Sequence, residues 1–200
     1  MIKYILFDLG NVIIEHVLEG KRSYNYDGRI FSGEKIESIY SLIEYEEFSK
    51  GNLTEAEFVG KFLKNCDLDL TITEFMKIYE NDIKFIKGMK VLLKNLYSNY
   101  SLVLLTNEGK EWADRKINHL NLRTLFKKII ISADLHELKP ARDFYLKTLN
   151  ILNAKPEECL FIDDKEKNCK AAKLLGINTI QFIGLKRLKE ELKSFSIILD

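Results

Sequence analysis

An α/β fold is expected, a parallel sheet flanked by helices with a small α-helical segment inserted after the first strand. Three observations predict it. Five short apolar runs are rich in β-forming residues, and helical patterns separate the later ones. One early stretch, residues 15–86, breaks that alternation and carries helical signals only. Strands alternating with helices imply parallel pairing through right-handed crossovers.

The first strand is read at residues 2–7, a run apolar enough to be buried on both faces. A sharp turn follows at Asp8-Leu9-Gly10-Asn11. The later strands are read at 101–105, 128–131, 159–162 and 178–182. Helices are expected over 89–96, 144–152 and 171–175, where apolar residues recur at helical spacing. In the insert, Thr54 with Glu57 and Thr71 with Glu74 read as capping boxes. Ile36, Ile39, Tyr40 and Ile43 share a helical spacing, as do Phe58, Phe62 and Leu63. No convincing strand is read there. The division is therefore 1–14 with 87–200 as the core and 15–86 as a helical cap.

A chain of 200 residues fits this plan. Lys and Arg number 31 against 30 Asp and Glu, a net charge of +1, which gives no reason to expect nucleic acid or an anionic membrane as partner. The apolar start is too short for a signal peptide, and no run approaches a membrane span. Cys66, Cys159 and Cys169 are odd in number and form no CxxC pair, so free thiols are expected. The protein is read as cytoplasmic, a monomer or weak homo-oligomer.

In an open parallel sheet, ligands bind beyond the C-terminal ends of the strands. There the sequence places Asp8, then Thr106 and Asn107, then Ser132 and Lys139-Pro140, and finally Asp163 and Asp164. Carboxylates, a hydroxyl, an amide and an ammonium thus converge from four strand ends. The set suits phosphoryl transfer. Asp8 can attack phosphorus, paired carboxylates can hold Mg²⁺, and Thr106, Asn107 and Lys139 can stabilise phosphoryl oxygens. Singly, each has a bland reading. Thr106 and Asn107, or Asp163 and Asp164, serve as helix caps, and Pro140 serves as a helix start. Trp112 and most tyrosines read as packing.

FDLGNV at 7–12, LLTN at 104–107, KPARDFY at 139–145 and FIDDKEKN at 161–168 occur in this order. Together they resemble the haloacid dehalogenase-like hydrolase superfamily, over nearly the whole chain. The resemblance implies a Rossmann-like three-layer core, Mg²⁺ as cofactor and an aspartyl-enzyme intermediate. By position it makes Asp8 the nucleophile and a metal ligand, with the Gly10 carbonyl and Asp164 as further ligands. It gives Thr106 and Asn107 to phosphate and Lys139 to charge stabilisation. Asp163 acts through water or by orienting Lys139. Most phosphatases of the superfamily carry an aspartate acid two residues after the nucleophile; here that position is Gly10. Glu15 and His16 are substitute candidates. The DLGNV form resembles bacterial sugar-phosphate phosphatases, including those acting on glucose 1-phosphate, so a small phosphorylated metabolite with a good leaving group is expected. The alternatives are a metal-independent 2-haloacid dehalogenase, which also lacks that aspartate, and a non-catalytic binding protein.

Overall fold

A computed structural model describes residues 1–199. The chain opens with β1 (Tyr4–Phe7). The insert follows as a hairpin, β2 (Ser23–Tyr26) and β3 (Arg29–Ser32), then α1 (Gly33–Glu37), a 3-10 turn at Ser38–Ser41, α2 (Ile43–Ser49), α3 (Glu55–Asn65) and α4 (Ile72–Asn81). The remainder alternates: α5 (Met89–Tyr97), β4 (Ser101–Thr106), α6 (Lys110–His119), β5 (Lys128–Ile131), α7 (Ser132–Leu135), α8 (Arg142–Leu152), β6 (Cys159–Asp163), α9 (Glu166–Leu174), β7 (Asn178–Gln181) and α10 (Leu185–Ser194).

The five core strands lie in the order β5-β4-β1-β6-β7, and every pairing among them is parallel. Alternate residues face opposite layers. Ile5, Phe7, Leu102, Leu104, Leu160 and Ile162 join one cluster with Met89, Leu93 and Leu188 of α5 and α10. Leu6, Val103, Leu105 and Phe161 join the other, with Phe144 and Ala172 of α8 and α9. Burial on both faces explains why these strands read as unbroken apolar runs. The expected three-layer α/β core is what forms. Among the described residues, no helix is long and apolar enough to cross a membrane.

The register positions the site. Phe7 lies opposite Leu104 on one side and Ile162 on the other. Asp8 and Asp163, one residue further on, and Thr106, two further on, therefore emerge together at the C-terminal ends of the strands. Strands are added outward from β1 first on one side and then on the other, and a ligand crevice is expected where strand order changes direction.

The insert is largely helical, as expected, and both capping boxes form. Thr54 Oγ1 accepts from the Glu57 N–H at 3.2 Å while Glu57 returns the bond to the Thr54 N–H at 2.8 Å; Thr71 and Glu74 repeat the pattern. Two expectations need correction. First, the insert does contain strands. Residues 23–32 form a hairpin turned by Asp27-Gly28, both at positive φ, +50° and +76°. Asp-Gly is a strong signal for such a turn. Second, residues 36–43 are not one helix. Leu42 is extended, with ψ of 140°, and Ile43 is 82% exposed, so its helical spacing marks no buried face.

The insert leaves and rejoins the core at adjacent points. The Glu15 N–H donates to Lys84 O and the Ile86 N–H to Ile13 O, each at 3.0 Å. Its contact with the core centres on Trp112 of α6, which is fully buried. Rings from the insert surround it: Tyr79 at 4.3 Å between centroids, Phe48 at 5.4 Å and Phe58 at 5.6 Å. Arg115 of α6 grips Glu55 of α3 through two bonds of 2.9 and 2.8 Å and also pairs with Glu80 of α4. Gly109 precedes α6 because a Cβ there would meet the Phe48 ring at 2.1 Å.

Candidate active site

Lys139 is the hub of the site. Its side chain is 1% exposed. Its Nζ donates to Asp8 Oδ1 at 2.7 Å, Asp163 Oδ2 at 2.8 Å and the Leu105 carbonyl at 3.0 Å. All three N–H bonds of the ammonium are thus used. Asn107 fixes the loop carrying it. Its amide donates to Lys139 O at 2.8 Å and its carbonyl accepts from the Lys139 N–H at 2.9 Å. The Asn107 side chain therefore helps to place Lys139, and the residue also lines the cleft.

Asp163 is fully buried and saturated. Besides Lys139, it accepts from the Lys165 N–H at 2.9 Å and from the Asn168 amide at 2.9 and 3.0 Å. That suits an orienting role more than direct metal ligation. Asn168, one turn into α9, was assigned no role from sequence. A polar residue on the buried face of a helix, beside a strand-end carboxylate, was the available signal.

The helix-cap readings do not hold. The N-cap residues of α6, α8 and α9 are Gly109, Ala141 and Lys165. Thr106, Asn107, Pro140, Asp163 and Asp164 cap none of them.

Burial pushes the Asp8 pKa up to about 6; the Lys139 charge opposes this and the Asp163 charge adds to it. Asp164 is raised by burial first and then by Asp163. Burial pulls Lys139 down, but the charges of Asp8 and Asp163 and their hydrogen bonds outweigh it and raise its pKa. Lys139 is thus charged at neutral pH, and three carboxylates face one ammonium.

That excess negative charge fits a divalent cation. Asp8, Asp163 and Asp164 bring carboxylate oxygens within 4.8 Å of one another. Asp164 Oδ1 is buried without a hydrogen-bond partner. A buried charged oxygen in that state is costly, and a hard, oxygen-seeking ion such as Mg²⁺ would satisfy it. Asp8 and Asp164 would hold it, with the Gly10 carbonyl as the expected third ligand. At about a hundredfold its Kd, Mg²⁺ should raise the unfolding temperature by about 5–10 °C at pH 7.5. Asp164→Asn should lose most of that shift, as thermal unfolding would show. A wild type indifferent to Mg²⁺ would remove the metal site.

Asp8, Gly10, Thr106, Asn107, Lys139 and Asp164 line one cleft. The insert supplies its other wall through Glu15, His16, Tyr40 and Tyr45. Gly10 leaves open space, since a Cβ there meets nothing within 4 Å. Of the substitute acids, His16 has its pKa pushed down to about 4 by burial and by the charges of Lys116 and Lys165. It is neutral at pH 7 and has no ready proton to give. Glu15 is half exposed and pairs with Lys84 at 3.4 Å.

A family model described as haloacid dehalogenase-like hydrolase matches residues 5–182. The chain belongs to this family of hydrolases. It is 25% identical over 193 residues to phosphoglycolate phosphatase of Aquifex aeolicus, covering 87% of this chain and 90% of that protein. It is 28% identical over 153 residues to flavin mononucleotide hydrolase 1 of Arabidopsis thaliana, covering 76% of this chain and 61% of that one. A HAD family enzyme of Bacteroides thetaiotaomicron, solved in complex with magnesium and inorganic phosphate, shares the fold. Its TM-score is 0.69 at 24% identity, over 90% of this chain and 94% of that one.

Proposed function

We propose that the protein is an Mg²⁺-dependent phosphomonoester hydrolase acting through an aspartyl phosphate on Asp8, on a small sugar phosphate. The carrying observation is Lys139, bonded at once to Asp8 and Asp163 inside a cleft whose neighbouring carboxylate, Asp164, keeps an unpartnered oxygen. Relatives named for hydrolysis of phosphoglycolate and flavin mononucleotide point the same way.

Bound Mg²⁺ would offset the repulsion between phosphate and carboxylate and withdraw charge from phosphorus. An Asp8 oxygen forms the new bond to phosphorus while the ester oxygen leaves with its electron pair and takes up a proton. Lys139 keeps Asp8 ionised and aimed, and Thr106 donates to a phosphoryl oxygen. Water then attacks the aspartyl phosphate, releasing inorganic phosphate and restoring Asp8. With glycine at position 10, the leaving oxygen lacks the usual proton donor. Esters whose leaving group needs little help, such as anomeric sugar phosphates, are therefore favoured. The 15–86 insert acts as the cap, hinged where residues 13–15 meet residues 84–86.

Phosphate release with and without Mg²⁺, for wild type and Asp8→Ala, tests the reading. The panel holds an aryl phosphate, hexose 1-phosphates and hexose 6-phosphates. Release that needs both Mg²⁺ and Asp8, fastest for the aryl and anomeric esters, is expected. Absence of release from all of them would overturn it. Metal-free halide release from 2-haloacids would then mark a dehalogenase, and silence in both assays a binding protein.

A further inference from the structure

We propose that Glu108, Lys116 and Tyr45 form the leaving-group subsite and select an uncharged, hydroxyl-bearing alcohol over an anionic one. The inference rests on the phosphatase reading and names the substrate class within it.

Glu108 and Lys116 are an ion pair with side chains 4% and 7% exposed. Both line the cleft that holds Asp8 and Thr106. The phosphate-handling residues use neither of them. Lys116 donates to Glu108 Oε2 and lies over the Tyr79 ring, 5.5 Å from its centroid. Tyr45 Oη donates to Glu108 Oε1 at 3.3 Å. A buried pair of this kind is weak support for a fold, since apolar residues of similar volume often serve as well or better. Its place on a cleft wall gives it another use.

Hydrogen-bonding capacity remains. The Glu108 carboxylate has about four acceptor positions and meets two donors, and the Lys116 ammonium carries three donors. Together they offer a fixed acceptor and a fixed donor with no net charge. A hydroxyl, which both donates and accepts, matches that pair. A carboxylate on the leaving group would face Glu108, with the Lys116 charge already matched. Tyr40 and Tyr45, edge to face at 5.1 Å, add flat apolar surface for a carbon skeleton.

The subsite is tied to the phosphate site by the backbone. Glu108 directly follows Thr106-Asn107. Its N–H donates to Ser132 Oγ at 2.9 Å, and Ser132 Oγ donates to Ser49 O of α2 at 2.6 Å. One hydroxyl thus anchors the specificity carboxylate to both the core and the insert.

The test compares two phosphate esters of equal size, one bearing a hydroxyl and one a carboxylate, by kcat/KM. Wild type should prefer the hydroxylated ester by about tenfold or more, the scale of one well-placed polar contact. Glu108→Gln leaves the Lys116 charge unmatched, so the ratio should move at least about tenfold toward the carboxylate ester. Tyr45→Phe, which keeps the ring, should raise KM for the hydroxylated ester more than it lowers kcat. Should Glu108→Gln fail to fold, the wild-type ratio and Tyr45→Phe still decide. A wild type that favours the carboxylate ester, or variants that slow both esters alike, would overturn the subsite. Asp8-dependent release from an aryl phosphate is the control: its presence in those cases confines the failure to the subsite, and its absence would also sink the phosphatase reading.

Discussion

Replacing Lys139 with methionine should cost roughly 3–5 kcal/mol of stability at pH 8 and leave no measurable turnover. The single ammonium between Asp8 and Asp163 satisfies both carboxylates and a backbone carbonyl. Methionine, one atom shorter, keeps most of the apolar stem and removes the charge, leaving two buried anions facing each other. The effect should depend on pH in a definite direction. The folded Lys139 pKa lies above its ordinary 10.5, so its contribution is fully present below that value and constant between pH 5 and 8. The folded Asp8 pKa, about 6, lies above its ordinary 3.8, so ionising Asp8 costs stability as pH rises through that window. Without Lys139 that cost grows. The gap between wild type and variant should be widest at pH 8 and narrow toward pH 5, where Asp8 takes up a proton. Adding Asp8→Asn to Lys139→Met should recover stability and no activity. Urea unfolding at both pH values checks this, and a gap that does not change with pH would assign the loss to packing.

Gly10→Asp should raise turnover of alkyl phosphates, the poor leaving groups, by about 10²-fold or more. The position lines the cleft, and an added Cβ meets no atom within 4 Å. The side chain would bring a carboxyl group to where the departing oxygen needs a proton. An aryl phosphate, whose leaving oxygen is stable unprotonated, should gain little. kcat against leaving-group pKa displays the effect as a flatter slope. No gain in a folded variant would mean that the proton already arrives by another route.

Most of the core was legible in the sequence because two signals coincide there. Strands buried on both faces must read as apolar runs, and a parallel sheet must gather its polar chemistry at the strand ends. Asp8, Thr106, Asp163 and Asp164 obey both rules. Lys139 was legible by its order in the chain, and its bond to Asp163 matches one of the two roles read for that aspartate; its bond to the Leu105 carbonyl was not legible. Asn107 shows the limit of such reading: strand-end position gives proximity to the site, while its amide bonds to the Lys139 backbone 32 residues away. The hairpin at 23–32 was missed although Asp27-Gly28 is a turn signal, because its flanking strands are only four residues each and mostly polar. Ile43 misled because spacing alone does not reveal a break at Leu42. Lys116 carried a readable clue, sharing a helical face with Trp112, Ala113 and Ile117. Its partner Glu108 lies in a loop, where no periodicity applies.

Trp112 is the only tryptophan in the chain. It belongs to α6 of the core, yet the five aromatic rings around it, Tyr40, Tyr45, Phe48, Phe58 and Tyr79, all come from the insert. The molecule therefore carries a built-in fluorophore whose surroundings are set by how the insert is seated. Emission from this one indole would follow the insert lifting and reseating in real time, free of any label and of background from a second tryptophan.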